Sequence, residues 1–322
     1  MSRQERILIA EDFIEQDHSI SSVLRVLKIP SSTYYYSSIA NGKNRGAPKS
    51  SHTKTITGKI VSNKKVVEDI ETLLEQEFVD YGYRKVRHWL KQNKGYLINE
   101  KKVYRLMAEH RLLNKKVQVK RSPRIWVTEL VPKPTQVMEY LEFDIKYVYI
   151  AGKRRNAMVL TVLDVSSRWI LGQYIDWRIN EYNVRALFEK IFSQYDLPEK
   201  MYVRNDNGSQ FVANLVRAYF AKKEVVQEFT RPATPEQNAH IESYHSLMER
   251  AVCRRYDFDT LEEMQLTFNR WVKFYNFERI HSGIQYLNPA KYLQNKGYDI
   301  QWNKELEITL DCRSESLNQF AI

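Results

Sequence analysis

Apolar residues follow two rhythms along this 322-residue chain. Up to about residue 112 they recur every three or four positions, the period of helices that pack by one face. Residues 3–16 predict one helix. Ile20–Leu27 predicts a second, a break follows at Ile29-Pro30, and Ser31 or Ser32 starts another. Helix, tight turn and helix make a helix-turn-helix outline, which serves DNA contact or plain packing equally well. Residues 64–112 predict a second helical module. Lys65–Phe78 and Tyr83–Asn93 are its first two helices, Gly95 ends the second, and Asn99 caps a third that runs to about His110. In that third helix Val103, Leu106, Met107 and His110 share one face, and Lys101, Lys102 and Arg105 occupy the opposite one.

From residue 137 the rhythm changes to alternation. Met138–Ile150 places Leu141, Phe143, Ile145, Tyr147 and Tyr149 on one side and Glu142, Asp144 and Lys146 on the other, as in a half-buried strand. Asn156–Leu163 and Trp169–Ile175 predict two more strands, joined by a turn that starts at Asp164. Next come a helix at Asn180–Gln194, a short strand at Met201–Arg204, a helix from Ser209 to Lys222 and a strand at Val225–Phe229. Gly208 is expected to let the chain turn sharply into the 209–222 helix. Thr234, Pro235 and Gln237 look like an N-cap, a first-turn proline and a capping-box partner. Behind them Ile241, Tyr244, Met248 and Val252 recur at helical spacing, with Glu242 beside that seam. Residues 261–280 form another aromatic-rich helix, and Leu306–Leu310 is strand-like. A three-strand meander followed by α/β alternation predicts a mixed five-stranded sheet with helices on both faces.

Charge adds a partner. The chain carries a formal net charge of +11. Between Tyr81 and Arg124 stand fourteen Lys or Arg against two acids, Glu100 and Glu109. A polyanion is therefore expected, nucleic acid before an acidic membrane. Arg84, Lys85, Lys101, Lys102, Arg105, Arg121 and Arg124 are the candidate DNA contacts in this stretch, with Arg231 and Arg279 beyond it. A solvated charged face is the alternative for each. No apolar run approaches the roughly 18 residues of a membrane span. The N-terminus has no signal-peptide pattern, and two cysteines, Cys253 and Cys312, suit a reducing compartment. The expectation is a cytoplasmic protein without a structural zinc site.

Three acids carry the candidate chemistry. Asp144 interrupts the polar side of a core strand, Asp206 ends a short apolar strand, and Glu242 follows 35 residues after Asp206. A mixed sheet can bring the two aspartates onto neighbouring strands. Three converging carboxylates repel unless cations lie between them. Hard oxygen donors favour Mg²⁺, with Mn²⁺ as a substitute, and two such ions form the clamp used in phosphodiester chemistry. Asn207, Asn238 and His245 are neighbours that could orient metal, water or DNA, or equally serve turn and helix surface. Asp164 is read as a turn cap.

FDIKYV around Asp144, RNDNGSQF around Asp206 and RPATPEQNAHIESYHSLMER around Glu242 resemble the acidic motifs of the retroviral-integrase-like DDE recombinases. The chain is most similar to bacterial insertion-sequence transposases of the OrfB type. Asp80–Leu113 resembles the helix-turn-helix module ahead of their catalytic core, and LDVSSRWILG and YNFERIHSGIQYLNPAKYL resemble the core's hairpin and C-terminal signature. The resemblance covers roughly residues 15–295. It departs at Ile280, where relatives often have Pro, and at Ala233, where they often have Gly.

The resemblance implies an RNase H-like α/β core with Asp144, Asp206 and Glu242 as ligands of two Mg²⁺. It further implies cleavage at element ends to expose a 3′-OH, joining of that 3′-OH to another phosphodiester, and a homo-oligomer on double-stranded DNA. Such a protein would be bacterial and nucleoid-associated. An upstream reading-frame product is a candidate partner, because residues 1–60 show no sustained heptad. A transposon-derived DNA-binding regulator and an RNase H-like nuclease are the alternative functions. The expected domains are an N-terminal helical segment (1–38), a linker (39–62), a helix-turn-helix module (63–113), a basic proline-containing linker (114–136), the catalytic core (137–292) and a tail (293–322).

Overall fold

The computed structural model describes residues 1–38, 49–114, 132–231, 235–298 and 309–310. Residues 1–51 and 52–322 form two separate units. The first holds α1 (Arg3–Glu15), α2 (Ile20–Val26) and α3 (Ser31–Ser38). Ser2 and Glu5 make a reciprocal capping box that starts α1. Ala10, Val23, Leu24 and Ile29 are its buried centre.

The second unit begins where a linker was expected. β1 (His52–Thr55) and β2 (Ile60–Ser62) pair antiparallel, and β1 also pairs with β3 (Tyr96–Leu97). The inward positions of β1 are Thr53 and Thr55, so its alternation is polar and invisible to an apolar count. α4 (Asn63–Leu74), α5 (Tyr83–Lys94) and α6 (Glu100–Glu109) complete this module. Gly95 ends α5 in the left-handed region at φ 64°. Asn99 starts α6 by accepting the Lys102 amide at 2.8 Å.

The core sheet runs in the order β8 (Val226–Phe229), β7 (Tyr202–Asn205), β4 (Tyr140–Ile150), β5 (Arg155–Asp164), β6 (Ile170–Asp176). β4, β5 and β6 are the antiparallel meander, and β7 and β8 add parallel to β4. A two-residue strand, β9 (Thr309–Leu310), pairs parallel with β6 and makes a sixth member. α7 (Glu181–Gln194), α8 (Ser209–Val212) and α9 (Asn214–Lys222) cover one face, where Phe143 meets Phe188, Phe211 and Phe220. α10 (Ala239–Met248) and α11 (Leu261–Phe277) cover the other.

That second face also takes in the helical module. Val66, Ile70, Phe78, Val86 and Leu106 belong to the same hydrophobic cluster as Val148, Val159, Ile241 and Trp271. The module is thus built into the core rather than hung from it. Arg279, only 1% exposed, forms an ion pair with Asp80 at 2.6 Å, and the Tyr81 hydroxyl accepts the Ile280 amide at 3.1 Å. The expected tail boundary also moves, because α12 (Pro289–Asn295) crosses it and buries Leu293 completely.

Candidate active site

Strand register brings the two aspartates together. β4 and β7 run parallel, and Glu142 lies opposite Arg204. Two residues further along stand Asp144 in β4 and Asp206 just past the end of β7, and the Asp144 charge acts on the Asp206 carboxyl. The Asp144 carboxylate accepts the Ile145 amide at 2.8 Å, and Asp206 accepts the Gly208 amide at 2.9 Å. Partial desolvation raises the Asp206 carboxyl above its ordinary value; the Gly208 hydrogen bond opposes this and the Asp144 charge adds to it. Gly208 itself has φ −57°, which any residue adopts, so the expected need for a sharp glycine turn is not met. What the glycine does is keep the space beside Asp206 Oδ1 clear, since a Cβ would come within 3.1 Å of it.

The Glu242 helix lies on this face of the sheet. A 3₁₀ turn at Pro235–Asn238 precedes it, so α10 begins four residues later than a Thr234 cap would have it; Thr234 lies outside the described residues. Ile241, Tyr244 and Met248 are buried as their spacing requires. His245 is buried too, and its Nδ1 lies 3.5 Å from Asp144 Oδ2. Glu242 is half-buried and one turn before His245, hence on the same side of the helix. Among the described residues no three His, Cys, Asp or Glu side chains converge as a closed metal-holding group. The neighbouring, mutually repelling oxygens of Asp144 and Asp206 have the donor chemistry a divalent cation needs.

The remaining candidates divide. Asn207 has turn duty, its Nδ2 donating to the Thr230 carbonyl at 2.9 Å and tying β7 to the end of β8. Asn238 is buried with Oδ1 unpartnered. Asp164 is a cap, accepting from the amides of Met138, Ser166 and Ser167. Arg279 is no phosphate contact, because it is spent on Asp80. Lys85 is no surface cation either: it is part-buried beside the same pair, and burial, then the Arg279 charge, pull its ammonium down to about 7. Lys102 donates to the His52 carbonyl at 2.5 Å. Arg84 and Arg105 stand near Glu100 and Glu109 at 3.6 and 3.9 Å. Lys101 and Arg231 are exposed, and Arg121 and Arg124 lie outside the described residues.

Two further residues at the site are ones that sequence reasoning does not single out. Glu142 is fully buried, and burial raises its carboxyl to about 7 although the His240 and Ile241 amides and the Arg204 charge oppose this. Arg204 bonds Glu228 at 2.8 Å and the Gln237 carbonyl at 2.9 Å. The available signal is a glutamate on an otherwise apolar strand; its pairing with an arginine is set only by the strand register.

Comparison with known proteins agrees with this architecture. The integrase core domain matches residues 134–235 and, in a second form, 223–289; an HTH-like domain matches residues 62–121. The insertion element IS407 uncharacterized 31.7 kDa protein of Burkholderia multivorans is 26% identical over 212 residues, covering 66% of this chain and 75% of that one. The putative transposase InsK for insertion sequence element IS150 of Escherichia coli K12 is 23% identical over 295 residues, covering 88% and 96%. Among solved structures, the HTLV-2 integrase catalytic core domain in complex with magnesium aligns with a TM-score of 0.39 and 10% identity, covering 50% of this chain and 99% of that one. Sheet order and sequence matches together define an RNase H-like integrase core joined to a helix-turn-helix-like module. In sequence the chain is similar to the insertion-sequence transposases of the DDE integrase superfamily, and its integrase core and HTH-like domain matches support a DNA transposase.

Proposed function

We propose that Asp144, Asp206 and Glu242 hold two divalent metal ions, Mg²⁺ with Mn²⁺ as a substitute, and that this site cuts and joins transposon ends. The observation that supports the reading is that the Asp144 charge acts on the Asp206 carboxyl, just beyond the Glu142–Arg204 pairing of β4 and β7. Such ions, when bound, neutralise charge at the phosphodiester and make an attacking hydroxyl more acidic. The chain's own part is to concentrate negative charge at that point. Asp144 and Asp206 supply oxygens from rigid strands, and α10 presents Glu242 from the side. Cleavage at an element end frees a 3′-OH. In joining, a bond forms from that oxygen to phosphorus as a bond from phosphorus to the leaving oxygen breaks.

Double-stranded DNA is the partner, gripped through the exposed basic residues Arg84, Lys101 and Arg231, and a homo-oligomer holds two ends at once. An upstream reading-frame product is the further candidate partner. No helix among the described residues is long and apolar enough to cross a membrane. The test is incubation of the chain with a duplex of its element's terminal sequence and Mg²⁺ or Mn²⁺. Joined products, lost on chelation, support the proposal. Cleavage without joining would instead favour a nuclease, and binding without either would favour a regulator.

A further inference from the structure

Asp144 in β4 and Asp206 just past β7 each have, two residues earlier in the strand, a residue that reaches the start of α10. On β4 it is Glu142, whose Oε2 accepts the His240 amide at 3.0 Å and the Ile241 amide at 2.8 Å. On β7 it is Arg204, whose Nη1 donates to the Gln237 carbonyl at 2.9 Å. Glu142 and Arg204 are register partners. Together they grip the backbone of residues 237, 240 and 241, immediately ahead of Glu242.

The chemistry of this grip is specific. The first amides of a helix lack intrahelical partners and carry partial positive charge, so a carboxylate is their strongest acceptor. Asn238, at the cap position, makes no side-chain capping bond, which leaves that duty to Glu142. Glu142 is 0% exposed, and its Oε1 has no hydrogen-bond partner. A buried carboxylate with one oxygen unsatisfied is a poor device for stability alone, since an apolar residue there would avoid the desolvation. Its advantage is positional. Arg204 is held in turn by Glu228 through Nε and Nη2, at 3.1 and 2.8 Å.

We infer that Glu142 and Arg204 are positioning residues, a clamp that fastens the N-terminus of α10 to the two aspartate strands and so sets where Glu242 stands relative to Asp144 and Asp206. The inference rests on the proposed metal-site role of Glu242. Its consequence is that strand geometry at the Asp144–Asp206 pair is passed to the third carboxylate through backbone hydrogen bonds.

The test uses the full chain, with amide exchange at residues 239–242 and Mn²⁺ binding followed by electron paramagnetic resonance. Glu142→Ala removes the acceptor; Glu142→Gln keeps an oxygen for the two amides. Arg204→Met, at a part-exposed site, serves where Glu142→Ala does not fold. Expected are faster exchange at 239–242 in Glu142→Ala and a half-saturating Mn²⁺ concentration raised about 10-fold in Glu142→Ala and Arg204→Met, as for other residues that orient metal ligands. Glu142→Gln should restore most of both. Unchanged exchange and unchanged Mn²⁺ binding in folded Glu142→Ala or Arg204→Met, beside weakened binding in Glu242→Gln, overturn the clamp alone. Unchanged Mn²⁺ binding in Glu242→Gln overturns the metal-site role and the clamp's purpose with it.

Discussion

Asp80 and Arg279 meet at 2.6 Å in the interior, the first ahead of α5 in the helical module and the second just beyond α11 in the core. Arg279 also lies over the Tyr81 and Trp271 rings, at 5.7 and 5.9 Å. The pair ties module to core inside one compact unit whose hydrophobic cluster they share. Any DNA held by the module is thereby held at a set place relative to the face that carries Asp144.

Breaking this pair should cost stability strongly and in a pH-dependent way. Burial opposes ionisation of Asp80, yet Arg279, with Lys85 and Arg250, holds its carboxyl below the ordinary value. A carboxyl depressed in the folded state contributes stability that is complete above its unfolded pKa, about 3.9, and is lost as pH falls through the lower folded value. Arg279→Met should therefore destabilise the chain by about 3–5 kcal/mol at pH 7. The penalty should shrink below pH ~4 as Asp80 protonates. Urea unfolding across that range measures it, and a penalty independent of pH would deny the pair its role.

Asp144→Asn, Asp206→Asn and Glu242→Gln should each reduce strand transfer by at least about 1,000-fold, as expected when a charge-stabilising group at a reacting centre is lost. Duplex binding should change only a few-fold. Gel-based joining assays beside binding isotherms decide this; a variant that joins ends at the parental rate removes its residue from the site.

Gly208→Ala separates backbone need from site need. With φ at −57° the backbone accepts alanine, so unfolding free energy should stay within about 1 kcal/mol of the parent. The added Cβ crowds Asp206 Oδ1 and the Gln210 side chain, so joining activity should fall while the fold persists. Parental activity would show that Asp206 has room to shift.

DNA affinity should fall steeply with salt, with a slope in log–log form of about −0.9 per phosphate neutralised. Charge reversal at the exposed Arg84 and Lys101 should flatten that slope by about 0.9 for each phosphate no longer neutralised. Charge-neutral replacement of the part-buried Lys85 should leave the slope unaltered. Fluorescence anisotropy on a duplex, from about 50 to 200 mM salt, would measure both, and a slope that responds only to Lys85 would reverse the assignment.

Asn99→Ala should cost about 1 kcal/mol, because α6 loses the acceptor for its Lys102 amide. Thermal unfolding measures the loss.

Much of this molecule is legible residue by residue. The α5–α6 boundary is marked by Gly95 and Asn99, and the meander by alternation at 138–175. The acids stand out because Asp206 ends a short apolar strand and Asp144 and Glu242 stand beside apolar seams. β1 is not legible, since Thr53 and Thr55 bury polar side chains and break the apolar count. Arg279 reads as a surface cation because Asp80 and the Tyr81 ring that enclose it are distant in sequence, and Lys85 reads as one because its burial beside Asp80 depends on Arg279 arriving from the core. Glu142 reads as the polar side of a half-buried strand, whereas both faces of β4 are covered at that point and the amides of α10 receive its carboxylate.

Local propensity and periodicity act over a few residues, so the chain alone dictates its helices, strands, caps and the order of its acids. Which carboxylates become neighbours, which cations vanish into ion pairs and what fastens α10 to the sheet depend on contacts between residues tens to hundreds of positions apart. Those contacts exist only once the parallel pairing of β4 and β7 has closed. Until then Asp144 and Asp206 are two unrelated acids, and afterwards the Asp144 charge adds to what raises the Asp206 carboxyl.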